Sequence, residues 1–153
     1  MKTHTKYFPL FVSLENKRIL IFGAGKIAAR RINSLLSFCP RITVVAPEAY
    51  STLPADIITH SSVTIRDASY QPGEIHDVDL VIAATNQQDV NHAIYLECKE
   101  KNILVGNAAN QNECDFFFPA IVETDQITLG LCSHGQNHST VRKLAASLRD
   151  FLS

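Results

Sequence analysis

Residues 18–31 read Arg18-Ile-Leu-Ile-Phe-Gly-Ala-Gly-Lys-Ile-Ala-Ala-Arg-Arg31, a short apolar run that breaks at Gly23 and gives way to a helical pattern at Gly25. Ile19 to Phe22 form a strand that points the chain at Gly23, where glycine permits a tight turn. Gly25 has no side chain to block a pyrophosphate approaching the backbone, and Ala28 fills the third position of the Gly-x-Gly-x-x-Gly/Ala pattern. A small residue there lets the helix lie close to the sheet, with its free N–H groups and positive dipole end facing the phosphates. Gly23, Ala24 and Gly25 are therefore expected to bind a dinucleotide. An ordinary strand-to-helix turn is the competing reading.

The pattern around this turn is that of an α/β protein. Ile27, Ala28, Ile32, Leu35 and Leu36 recur at helical spacing until Cys39-Pro40, and Ile42 to Ala46 is a second strand ended by Pro47. Pro54 marks irregular chain, and Val63 to Ile65 is a weaker strand before a loop with Pro72 and Gly73. Val78 to Ala84 is almost continuously apolar, as strands buried on both faces of a parallel sheet are. An amphipathic helix over 89–101 and a strand over 103–105 follow. Strand and helix alternate, which predicts a Rossmann-like doubly wound parallel sheet over residues 1–112.

Residues 113–153 change character. Phe116 to Val122 and Ile127 to Leu131 are apolar runs separated by Glu123-Thr-Asp-Gln126, which predicts a short β-hairpin. Three adjacent phenylalanines exceed what one strand face uses, so either this chain covers both faces or a partner subunit covers one. Val141, Leu144, Ala145, Leu148, Phe151 and Leu152 form one helical stripe that docks on the sheet or on a partner. The hairpin and this helix are expected to mediate a homodimer.

Composition excludes several function classes. The 153 residues are 46% apolar with a formal net charge of −1, without the basic excess that nucleic-acid or anionic-membrane binding needs. No apolar run approaches the roughly 18 residues of a membrane span, and Met1 to Lys6 lead into only a short apolar segment, so a cytoplasmic protein is expected. Cys39, Cys98, Cys114 and Cys132 form no Cys-x-x-Cys pair and read as reduced, mostly core thiols rather than metal ligands. His4, His60, His76 and His92 are scattered and read as solvated.

Nucleotide ligands in such sheets lie beyond the carboxyl ends of the strands. An acidic residue about twenty positions after the glycine turn often holds the adenosine ribose. That place is occupied here by Ala46-Pro47, with Glu48 just beyond. Glu48 reaches the ribose, or the backbone at Ala46 and Pro47 does, or Glu48 is a solvated loop carboxylate. No Arg or Lys stands at that strand end for a 2′-phosphate, which favours NAD over NADP. Thr85 and Asn86 would face the nicotinamide half of the crevice, unless Asn86 or a neighbour caps the next helix. Asn107 to Asn110 hold the corresponding place after the following strand.

Together these motifs resemble the amino-terminal domain of the siroheme synthase family, the precorrin-2 dehydrogenases, some of which are also sirohydrochlorin ferrochelatases. The resemblance rests on Tyr7-Phe-Pro-Leu-Phe11, the glycine turn through Arg30, Thr43-Val-Val-Ala-Pro47, Ile82-Ala-Ala-Thr-Asn86 with Asn91, Cys114-Asp-Phe-Phe-Phe-Pro-Ala120, and Ser133-His-Gly135. It implies NAD-dependent oxidation of precorrin-2 to sirohydrochlorin, with Lys26, Ile27, Pro47 and Glu48 at the cofactor and a tetrapyrrole as substrate. It also implies an aspartate for proton transfer soon after Asn107.

Three departures from that family bear on activity. Asn110 puts an amide where the aspartate is common, and an amide is no general base near neutral pH. Asp115 either caps the loop or takes over part of the role. Ser133-His-Gly-Gln-Asn-His138 replaces a more usual glycine pair, so Ser133, His134, Asn137 and His138 are the candidate tetrapyrrole contacts. The two imidazoles meet a carboxylate, bind metal, or are plain surface histidines, and no resident metal is expected. Full family members carry a further helical segment after the last helix here, which this chain is expected to lack. Chelatase activity is accordingly not expected, and a carrier or regulatory protein that binds NAD or tetrapyrrole without catalysis is the alternative to the dehydrogenase.

Overall fold

Five strands pair in parallel; the runs buried on both faces in the central strands need a sheet covered on both sides, while the edge strand Val63–Arg66 alternates half-buried and exposed residues. They are β1 (Arg18–Phe22), β2 (Arg41–Val45), β3 (Val63–Arg66), β4 (Leu80–Ala83) and β5 (Leu104–Asn107), in the spatial order β3-β2-β1-β4-β5. The structure is a computed structural model that describes residues 7–38, 41–133 and 137–153. Register aligns Phe22 with Val45 on one side and with Ala83 on the other, and Ala83 with Asn107. The loops after β1, β2, β4 and β5 therefore leave the sheet along one edge.

Helices α1 (Lys26–Leu35) and α4 (Gln88–Glu100) carry the crossovers. Ala28, Ile32 and Leu35 are the buried stripe of α1. Leu20, Phe22, Val81, Ala83 and Val105 of the sheet pack with Ile94 and Cys98 of α4 and with Ile75. Burial pushes the Cys98 thiol up to about 12, so it stays protonated and inert.

Several boundaries differ from the sequence reading for local reasons. Residues 49–58 are not irregular but form the one-turn helices α2 (Ala49–Thr52) and α3 (Ala55–Ile58). The hydroxyls of Ser51 and Thr52 donate to the Glu48 carbonyl, and Glu48 itself takes a left-handed conformation with φ 57°. β4 starts at Leu80 because the Asp79 carboxylate accepts from the Arg18 N–H at 2.9 Å and from Lys17 Nζ at 3.1 Å.

A second hub lies on α4. Glu97, 8% exposed, accepts from Lys101 Nζ (2.6 Å), the Tyr70 hydroxyl and the N–H groups of Gly73 and Ile75 (3.0 and 2.9 Å). Burial alone would raise this carboxyl, but those four donors hold it at about 2. The Tyr70 phenol is pushed up by burial and by its bond to Glu97. The 70–75 loop is thereby stitched to α4.

One compact unit runs Ser13–Phe116, and the other joins residues 7–12 to Phe117–Ser153. In the second unit, β6 (Ala120–Glu123) and β7 (Thr128–Leu131) form the antiparallel hairpin, and α5 (His138–Leu152) lies on β6. The three phenylalanines precede the hairpin instead of lying on a strand, since Pro119 supplies no N–H to a ladder. Phe116 packs on Gly106 in the first unit, whereas Phe117 meets Tyr7 edge-on at 4.6 Å in the second. Of the α5 stripe only Ala145 is fully buried, while Phe151 is 85% exposed. Cys114 is half-buried and Cys132 exposed, so neither is the core thiol expected; Cys39 and His4 lie outside the described residues.

Candidate functional site

Gly23 ends β1 with φ 113°, and its N–H donates to the Val45 carbonyl at 3.0 Å. A Cβ at this position would lie 2.1 Å from the Ala84 carbonyl oxygen. Glycine is thus required both by conformation and by the close approach of the β4 end. Ala24 is buried beside it.

Gly25 differs in kind. Its backbone is ordinary, with φ −75° and ψ −173°, and a Cβ there would meet nothing within 4 Å. It is the N-cap of α1, which has no side-chain cap and no acidic residue in its first turn. The first helical hydrogen bond is donated by the Ala29 N–H to the Gly25 carbonyl, which leaves the amides of Lys26, Ile27 and Ala28 without helical acceptors. An open cradle in front of uncapped amides and the positive end of a ten-residue helix suits a pyrophosphate. Lys26 and Ile27 are exposed at its rim.

At the β2 end, Ala46 is buried and Pro47 and Glu48 are exposed. The Glu48 N–H donates to Asp67 Oδ1 at 2.8 Å, so the Asp67 carboxylate is held at the end of β2, where an adenosine ribose would lie. Arg66, at the end of neighbouring β3, is an ion-pair partner of Glu74.

Beyond β4, Asn91 sets the loop. It is 1% exposed; its Oδ1 accepts from the Thr85 N–H (3.0 Å) and hydroxyl (2.8 Å), and its Nδ2 donates to the Thr85 carbonyl (3.1 Å). Asn86 does not cap α4, whose N-cap is Gln87, and its side chain is exposed. The sequence reading used Asn91 only as part of a resemblance. An asparagine on the core face of a helix was the signal that it anchors something.

At the end of β5, Asn107 is buried and its side chain holds the loop that follows. Its Oδ1 accepts from the Ala109 N–H (2.9 Å) and its Nδ2 donates to Glu113 Oε2 (2.7 Å). Asn110 caps the single 3-10 turn Gln111–Glu113 by accepting from the Asn112 N–H at 3.1 Å. Asp115 is an edge latch: its oxygens accept from Lys99 Nζ (2.7 Å) and the Val105 N–H (3.0 Å), which fits the loop-capping reading. His92 is exposed, as expected, and its Nδ1 also lies 2.8 Å from Glu113 Oε1, a pairing the sequence does not show. Gln88, Asp89, His92, Asn107, Ala109, Asn110 and Glu113 line a hollow of about 430 Å³. Among the described residues, no group of three or more His, Cys, Asp or Glu is placed to hold a metal.

The remaining candidates belong to the other unit. The Asn137 N–H donates to the Ser133 hydroxyl (3.0 Å), and Asn137 Oδ1 caps α5 at the Thr140 N–H (3.0 Å). His138 is exposed in the first turn of α5, and His134 lies outside the described residues. No described helix is long and apolar enough to cross a membrane.

Strand order, glycine turn and open helix end define a Rossmann-like dinucleotide-binding domain. The sequence model of the family described as "Putative NAD(P)-binding" matches residues 10–120. The chain belongs to that family, in the branch that includes the amino-terminal domains of the siroheme synthases. It is 43% identical over 143 residues to the "Probable multifunctional siroheme biosynthesis protein HemA" of Ruminiclostridium josui, covering 93% of this chain and 28% of that protein. It is 34% identical over 143 residues to the siroheme synthase of Blochmanniella pennsylvanica, covering 94% and 30%. The chain thus spans under a third of the length of these curated relatives. The solved structure titled "SirC, precorrin-2 dehydrogenase" has the same fold, with a TM-score of 0.77 at 23% identity over 95% of this chain and 71% of that one.

Proposed function

We propose that this chain binds NAD along the carboxyl edge of its parallel sheet and oxidises precorrin-2 to sirohydrochlorin in siroheme formation. The uncapped amino end of α1, open in front of Gly25, carries the reading, because a buried or capped helix end would have no use for an anion. NAD, when bound, supplies the acceptor for a hydride from the reduced macrocycle. Gly23 and Ala24 shape the turn, and the amides of Gly25, Lys26 and Ile27 hold the pyrophosphate. Glu48 or the backbone at Ala46 and Pro47 holds the ribose. The carboxylates of Glu48 and Asp67 would repel a 2′-phosphate, and Arg66 is engaged by Glu74, which supports NAD over NADP. Thr85, fixed by Asn91, and the adjacent Asn86 position the nicotinamide end, with Asn107 supporting the next loop.

On the substrate side, Ser133, Asn137 and His138 offer hydroxyl, amide and imidazole groups suited to the carboxylates of a tetrapyrrole. A homodimer through residues 116–131 would cover the half-buried phenylalanines, and sedimentation at micromolar concentration tests it, a strict monomer being the contrary result.

Anaerobic incubation with precorrin-2 and NAD tests the whole reading. NADH and sirohydrochlorin should appear in equal amounts. Binding without turnover would instead favour a carrier, the reading that the amide at Asn110 supports.

A further inference from the structure

We propose that His92 is the base that accepts the substrate's proton, with Glu113 as its positioning residue; this rests on the dehydrogenase reading of the same crevice. His92 projects from α4 into the hollow at the β5 end, where Gln88, Asp89, Asn110 and Glu113 are its neighbours. Its Nδ1 lies 2.8 Å from Glu113 Oε1. An ionised carboxylate only accepts, so this bond holds the neutral ring as the Nδ1–H tautomer and leaves a lone pair on Nε2. Nε2 makes no hydrogen bond to a described residue, and the side chain is 52% exposed, so that lone pair is available to a ligand.

The pair is built rather than incidental. Glu113 is largely covered, 15% exposed, and its second oxygen takes the Asn107 amide at 2.7 Å. Asn107 is itself locked by the Ala109 N–H. Asn110 caps the turn that presents Glu113, and the Glu113 N–H closes that turn on the Asn110 carbonyl at 3.1 Å. The His92 ring stacks on Tyr95, with centroids 6.3 Å apart and planes 27° from parallel. A carboxylate that orients an imidazole and stabilises its cation is the arrangement general bases use. The amide of Asn110 cannot do this work.

The step balances as follows. One substrate C–H bond breaks with both electrons, and the hydride passes to NAD, giving NADH. A second hydrogen leaves the macrocycle as a proton for Nε2 of neutral His92, the electron pair it leaves behind completes the new double bond, and the imidazolium then returns its proton to water. Glu113 from the 3-10 turn and Asp89 and Tyr95 from α4 are the titratable groups that face or flank the ring, and both carboxylates stabilise the cation.

Two measurements on the full chain decide the matter. Long-range ¹H–¹⁵N spectra of the unliganded protein at alkaline pH should show His92 as the Nδ1–H tautomer; an Nε2–H tautomer overturns the assignment without reference to turnover. In anaerobic assays with precorrin-2 and NAD, His92→Gln should lower kcat by roughly 10²-fold or more with NAD affinity unchanged, and the acid limb of the wild-type pH profile should vanish. Glu113→Gln should give a smaller loss. A His92→Gln variant with the wild-type rate and pH profile overturns the base while leaving the dehydrogenase standing. A wild type that yields no NADH overturns both.

Discussion

Gly25→Ala separates folding from binding. The backbone at Gly25, φ −75° and ψ −173°, is one any residue adopts, and the new Cβ would meet nothing within 4 Å. Alanine is a poorer N-cap than glycine but restricts the unfolded chain, and these effects offset to leave stability within about 1 kcal/mol of wild type. The cradle changes more. A pyrophosphate that packs directly against the Gly25 Cα needs the space an added methyl would fill, so its oxygens would be pushed off the Gly25 amide. Losing one hydrogen bond to a charged acceptor costs about 1.5–3 kcal/mol, a roughly 10- to 150-fold rise in Kd. Urea denaturation and calorimetric NAD titration on the same preparation read both quantities. Wild-type NAD affinity in a folded Gly25→Ala protein would refute the pyrophosphate assignment.

Three other perturbations probe the supporting structure. Gly23→Ala places a methyl group 2.1 Å from the Ala84 carbonyl oxygen at a φ of 113°, and its urea midpoint should fall by the equivalent of about 3 kcal/mol or more. Asn91→Ala removes three hydrogen bonds to Thr85 and should cost about 2 kcal/mol in thermal or urea unfolding while weakening NAD binding; an unchanged melting curve would deny Asn91 its anchoring role. Glu97→Gln has a pH signature. The Glu97 carboxyl is held at about 2 when folded, below its ordinary value, so the unfolded chain takes up the proton first as pH falls. Its stabilisation, about 3 kcal/mol, is complete above about pH 4.5 and lost as pH drops toward 2, so the wild-type advantage over Glu97→Gln should shrink across that window. An advantage that does not vary with pH would contradict this.

The legible parts of the molecule were those where local sequence and tertiary demand coincide. The β1 turn could be read because a buried strand, two glycines and an amphipathic helix follow one another without a gap. The near-continuous apolar run before Thr85 identified β4 for the same reason. Contacts between residues distant in sequence were not legible. Glu113 pairs with His92 across 21 positions and Tyr70 with Glu97 across 27, and neither pairing leaves a mark in local composition. Asn107 ends a strand at the ligand edge, but nothing local in the sequence shows that its side chain also holds Ala109 and Glu113. Phe116 to Phe118 misled by propensity, since three aromatic residues look like a strand until Pro119 and the division of the chain at Phe116 are considered.

Nucleotide binding at the open end of α1 underlies every later step, so calorimetric titration of NAD into the full chain tests the account most directly. One NAD per chain, bound more tightly than NADP, is the predicted result. A protein that folds and binds neither nucleotide would contradict it.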